Sequence, residues 1–205
     1  MSPILCRFRH CVEDRRIIVD AVISEVRCCL ESGNYRAALV LALIIPDVYG
    51  LIEHPECRKE SKKRYVAWFN DHILVSYAKK FTPEGGVSES YFDGDMCYSL
   101  RCKLLHEGNN QIDVKSINVS GDKGCRFELR LIVGGSDSYG RAIYSVPGCE
   151  TVMVRQVTLN ITDLCEALCS GAEDFCRTRN KDDFNNRQLN YVDLSKMTGS
   201  LNVGH

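Results

Sequence analysis

A chain of 205 residues with 44% hydrophobic side chains can close one sizeable core, and its length does not demand a second domain. Its 26 Lys and Arg against 27 Asp and Glu give a formal charge of -1, which excludes a global field able to hold a polyanion by itself. Any nucleic-acid binding must therefore come from local patches, of which the sequence offers residues 7–16, 58–64 and 177–181, each readable as a solvated face.

Near the N-terminus, Arg7, Arg9 and His10 stand where the apolar core of an export signal would lie, so the expected location is cytoplasmic. The twelve cysteines are then expected to be reduced, with Cys28, Cys29, Cys165 and Cys169 acting as small buried hydrophobes. On the same reading the sequons at Asn118 and Asn160 are chance matches. The longest apolar run, Ala37 to Ile45, stops at Pro46 and falls short of the roughly 20 residues a bilayer needs, so no membrane partner is expected.

The first helix is predicted from Glu13 to Ser32, where Ile17, Ile18, Ala21, Val22, Val26 and Leu30 recur at threes and fours before Gly33. Asn34 reads as the N-cap of a second, very apolar helix that bends at Pro46 and continues to Ile52. A third runs from about Glu60 to Lys80 with Tyr65, Val66, Trp68, Phe69, Ile73, Leu74 and Tyr77 inward, and a fourth from about Glu89 to Glu107, closed by Gly108.

Past Gly108 the period changes to alternation. Residues 112–119, 125–133 and 151–159 read as half-buried strands of a small antiparallel hairpin or sheet, with turns at 121–124 and 134–140. Thr162 can cap a fifth helix from Asp163 to Arg179, with Leu164, Leu168, Ala172 and Phe175 inward. The fold expected is mainly α: an up-and-down bundle forming one domain over 1–181, with the strands inserted at about 111–159 and a polar tail at 182–205.

The chemistry worth weighing lies at the end of the fourth helix. There Arg101 supplies a rigid fork of donors suited to a phosphodiester, and His106, in the last turn, can exchange a proton near neutral pH. Five residues at 100 degrees each put the two side chains about 140 degrees apart, so they do not share a face. They converge on one phosphate only if the helix end unwinds, or if a second subunit aligns its own pair in a symmetric cleft. The competing reading is a surface Arg and a helix-end His. Tyr98, Ser99, Cys102, Glu107, Asn109 and Asp95 are the neighbours that could line such a cleft. A zinc reading of Cys97, Cys102 and His106 lacks a second close ligand pair, and no hydrolase elbow, phosphate-binding loop or His-Glu-x-x-His is present; no metal or cofactor is expected.

The wording Leu100-Arg-Cys-Lys-Leu-Leu-His-Glu-Gly108, preceded by Tyr98 and following three amphipathic helices, resembles the HEPN superfamily, in which an Arg, four to six residues and a His end a late bundle helix. The resemblance covers about Glu13 to Asn110, with the fifth helix completing the bundle. It implies a metal-independent endoribonuclease of the toxin-antitoxin, phage-defence or RNA-processing kind, working as a homodimer alongside a cognate antitoxin or regulatory protein. Carried over, Arg101 would hold the scissile phosphate and His106 would move the proton as the RNA's own 2'-hydroxyl attacks, leaving a cyclic phosphate. Two positions depart from the commonest pattern: Cys102 replaces a polar residue after the Arg, and Gly108 stands where some members carry a modifiable Tyr. The alternative within the resemblance is a non-catalytic scaffold that binds RNA, nucleotide or a protein partner.

Overall fold

The computed structural model describes residues 17–77, 90–110, 126–144, 152–179 and 184. Helix α1 (Ile17–Glu31) turns tightly into α2 (Tyr35–Ala42), and α3 (Ile45–Glu53) continues α2 after an offset at Leu43 and Ile44. A short 3-10 turn (Pro55–Cys57) leads to α4 (Ser61–His72), which ends in a second one (Leu74–Tyr77). After α5 (Gly94–Glu107) come β1 (Arg126–Ile132), β2 (Ser138–Tyr144), β3 (Val152–Asn160) and α6 (Ile161–Thr178). The protein is mainly helical, with one small mixed sheet among the described residues.

The apolar second segment of the sequence becomes the centre of the bundle. Ala38, Leu39, Ala42, Leu43, Ile45 and Tyr49 are all buried, and Pro46 sits in the first turn of α3, where its missing N–H deprives the helix of nothing. By length and composition Tyr35–Glu53 could cross a membrane, although the shorter run Ala37 to Ile45 falls below that length; here it packs against α1, α4 and α6. Tyr65, Trp68 and Phe69 of α4 are fully buried beside it, and Trp68 stacks on Tyr49 with ring centroids 5.7 Å apart.

The close crossing of α3 and α4 depends on one missing side chain. A Cβ on Gly50 would lie 2.7 Å from the Arg64 carbonyl oxygen, so only glycine lets α3 press this closely on α4. That crossing carries the end of α3 to the end of α4.

Several helix limits differ from the periodic reading. The third predicted helix is α from Ser61 to His72 and 3-10 from Leu74 to Tyr77. The fourth begins at Gly94, because Asp93 accepts a hydrogen bond from the Met96 amide and fixes the start there. For the last helix the cap is Asn160, whose side-chain oxygen accepts from the Thr162 amide; Thr162 itself lies inside the helix. Gly108, at φ 69°, takes the left-handed conformation that ends α5.

The sheet is mixed rather than antiparallel. Its order is β1-β3-β2, with β1 parallel to the central β3 (Leu129 opposite Val157) and β2 antiparallel to it (Tyr139 opposite Val157). Residues 134–140 were expected to be all turn, yet only the part before Ser138 is; Asp137 anchors it by accepting from the Asn160 amide at 2.7 Å and the Tyr91 hydroxyl at 2.9 Å. Phe127, Leu129, Val157 and Leu159 join the same core as the helices. The predicted strand 112–119, the turn 121–124 and the tail beyond Phe184 lie outside the described residues.

Candidate functional site at the end of helix α5

Helix α5 buries Met96, Cys97, Ser99 and Leu100, which turns Arg101 toward α3 and leaves Leu105, His106 and Glu107 exposed. Arg101 donates from Nε to Asp47 Oδ2 at 3.0 Å, and its Nη2 lies 3.0 Å from the same oxygen. Both side chains are mostly shielded, at 24% and 16% exposure, so this is a half-buried ion pair tying α5 to α3. Burial pulls the Arg101 guanidinium down, but the Asp47 carboxylate and Cys102 more than offset this and hold it above its ordinary value. His106 faces solvent in the last turn. Within one chain, then, the two residues stand in different surroundings.

The predicted cleft residues divide in the same way. Ser99 is buried, at 6% exposure, and lines no open cleft; this corrects the expectation. Tyr98 packs edge-on against Tyr65, and its hydroxyl lies 3.4 Å from that of Ser61. Asp95 pairs with Lys62 at 2.7 Å beside a shallow hollow formed with Glu60, Ser61 and Lys63. Glu107 accepts from Lys103 Nζ at 2.7 Å and from Asn109 at 3.4 Å, and these donors hold its carboxyl below the usual range. Cys102 is half-buried beside Arg101. Glu107 interacts electrostatically with His106, and Asn109 bonds to Glu107.

A residue the sequence did not single out completes that neighbourhood. Arg36, in the first turn of α2, donates from Nη2 to the Gly108 carbonyl at 3.3 Å, so an exposed guanidinium reaches the end of α5. The N-terminus of α2 has no side-chain cap from Asn34, and it borders an open hollow of about 610 Å³ lined by Gly33, Asn34, Tyr35, Arg36, Ala37 and Val40. Uncapped first-turn amides and an Arg at the start of α2 are groups suited to an anion, and Arg36 reaches the residue two places after the exposed His106. The signal available in the sequence was Asn34-Tyr-Arg36 at a helix start, which says nothing about α5.

Several residues of the basic runs are paired or hydrogen-bonded where they are described. Lys62 pairs with Asp95, Lys63 with Glu60 at 3.6 Å, and Arg64 donates to the Arg58 carbonyl at 3.0 Å. Arg177 pairs with Asp174, and Arg179 with Glu53 at 2.8 Å. The run at 7–16 lies outside the described residues.

The thiols follow the expectation in part. Cys165 and Cys169 are buried as expected, and burial pushes the Cys169 thiol up to about 12; Cys28 is instead exposed and Cys29 half-buried. Cys97 is buried within 3.3 Å of the Tyr65 hydroxyl, and burial raises it to about 12, so it is a core contact and not a reactive group. Among the described residues no cysteine is in a disulfide. Fold and site together define a mainly helical protein with a small mixed sheet, with His106 exposed at the end of α5 and Arg36 bonded to Gly108 just beyond it. No protein-family model, curated protein or solved structure matches the chain.

Proposed function

We propose that the chain is a HEPN-like helical domain that binds the backbone of RNA at the end of α5, with Arg36, His106 and the first-turn amides of α2 as the contact surface. The observation that supports it is the division of labour in α5: Arg101 is held by Asp47, whereas His106 is exposed two residues before the carbonyl that Arg36 reaches. A single copy therefore binds a phosphate without a second, opposed catalytic group.

The second reading is a metal-independent endoribonuclease of the toxin-antitoxin or phage-defence kind, in a homodimer. The exposure of His106 in a last helical turn favours it, because a second copy could place its own α5 end alongside.

One experiment separates the two: the purified chain is incubated with total RNA in chelator while binding and cleavage are followed together. Binding without cleavage, weakened at least about tenfold in Arg36→Ala or His106→Ala, supports the scaffold. Cleavage that leaves cyclic phosphate ends and disappears in His106→Ala supports the nuclease. No RNA binding at all overturns both.

A further inference from the structure

At the far end of the α2-α3 rod, roughly 25 Å from Arg36 by helical rise, three helix C-termini meet. Glu53 is the last residue of α3, His72 the last of α4, and Arg179 follows the last residue of α6. His72 Nε2 lies 2.8 Å from Glu53 Oε2, and Arg179 donates to Glu53 Oε1, also at 2.8 Å. Asp71 brings a second carboxylate, and ligand-type atoms of Glu53, His54 and Asp71 all lie within 4.8 Å of one another.

These contacts alone would describe an ion-pair knot, with Glu53 satisfied by His72 and Arg179. They leave His54 unexplained. Its Nε2 is shielded from solvent and has no hydrogen-bond partner among the described residues; the nearest carboxylate oxygen, Glu53 Oε2, is 4.0 Å away, too far for a hydrogen bond. Its other nitrogen, Nδ1, lies 3.4 Å from Glu56 Oε1. A carboxylate on one ring nitrogen and an open lone pair on the other is the arrangement that orients a metal-binding imidazole.

We propose that Glu53, His54, Asp71 and His72 form a binding site for a divalent transition ion, zinc foremost. Four ligands at about 2.0 to 2.1 Å in a tetrahedron lie roughly 3.3 Å apart. Glu53, His54 and Asp71 already stand together, with Glu53 Oε2 4.0 Å from His54 Nε2, and His72, bonded to Glu53 Oε2 at 2.8 Å, would complete the set by exchanging that bond for the ion. Two imidazoles select zinc and its neighbours over magnesium or calcium. The converging helix C-termini add negative potential, and Arg179 holds the far oxygen of Glu53 in place. Such an ion would clasp the ends of α3 and α4, apart from the RNA-binding surface and independent of it.

The protein supplies its own reporter, because the sole tryptophan, Trp68, has its ring centroid 5.0 Å from that of His72. The full chain, stripped with chelator and kept reduced, is titrated with Co2+ and then with Zn2+. The expected result is one equivalent of cobalt bound, a visible spectrum of nitrogen and oxygen ligation without the sulfur-to-metal charge-transfer band, and quenching of Trp68 that zinc reverses. Asp71→Ala, at an exposed position that the fold tolerates, should weaken binding at least about tenfold, as should His54→Ala. Zinc should raise the melting temperature of the parent chain and not of Asp71→Ala. No saturable quenching, a thiolate spectrum, or unchanged affinity in both variants would overturn the site.

Discussion

The two ends of the α2-α3 rod assemble polar groups by different means. Toward the α2 end the sequence places Arg101 and His106 five residues apart on one helix, yet α5 sends Arg101 to Asp47 at the start of α3 and leaves His106 in solvent. At the α3 end Glu53 and His72 are far apart in the chain, and the α3-α4 crossing brings them to 2.8 Å. Closeness along a helix is closeness in space only at spacings of three or four residues. A helix crossing is indifferent to sequence separation.

The strongest way to break this contrast is to spread the crossing. Gly50→Val puts a branched side chain against the Arg64 carbonyl, which cannot move aside, and should destabilise the chain by about 3 kcal/mol in denaturant unfolding. It should also abolish cobalt quenching of Trp68 while leaving the proposed RNA binding unchanged at temperatures where the variant is folded. A smaller effect sharpens the other end. Arg101→Ala leaves the Asp47 carboxylate half-buried without a partner and should cost about 2 kcal/mol, most of it recovered when Asp47→Asn is added. His106→Ala removes only an exposed ring and should change stability by less than about 0.5 kcal/mol.

The smallest effect tests a contact away from both ends. Arg27 of α1 lies 2.6 Å from Glu173 and 3.2 Å from Glu166 on α6, and its hydrogen bond holds the Glu173 carboxyl below the ordinary value. A lowered carboxylate contributes stability that is fully present above its ordinary value and is lost as pH falls through the lowered one. Because the pair is about one-third exposed, the screened contribution is about 0.5 kcal/mol. Glu173→Gln should therefore lose that amount at neutral pH and show a correspondingly shallower acid limb in melting curves.

Much of the helical frame was legible because burial imposes a 3.6-residue period. Leu164, Leu168, Ala172 and Phe175 face inward as read, as do Tyr65, Trp68 and Phe69. Strand β2 was missed because its alternation is interrupted by Gly140 and its Tyr139 and Ile143 are exposed, so no buried face marks it. The position of His106 was legible from the helix-ending Gly108, but the Asp47 partner of Arg101 was not, since it depends on how α5 rotates against α3. Arg36 and the Glu53 cluster were invisible for the same reason: neither belongs to a motif, and both arise from tertiary contacts.

The most direct test of the division between Arg101 and His106 is an amide and side-chain NMR titration of the labelled 205-residue chain with a short single-stranded RNA. The account predicts shifts at Arg36, Ala37 and His106 to Asn109, while the Arg101 Nε–H signal stays where Asp47 holds it. An Arg101 Nε–H signal that moves together with His106 would contradict it, because the two residues would then be reading the same phosphate.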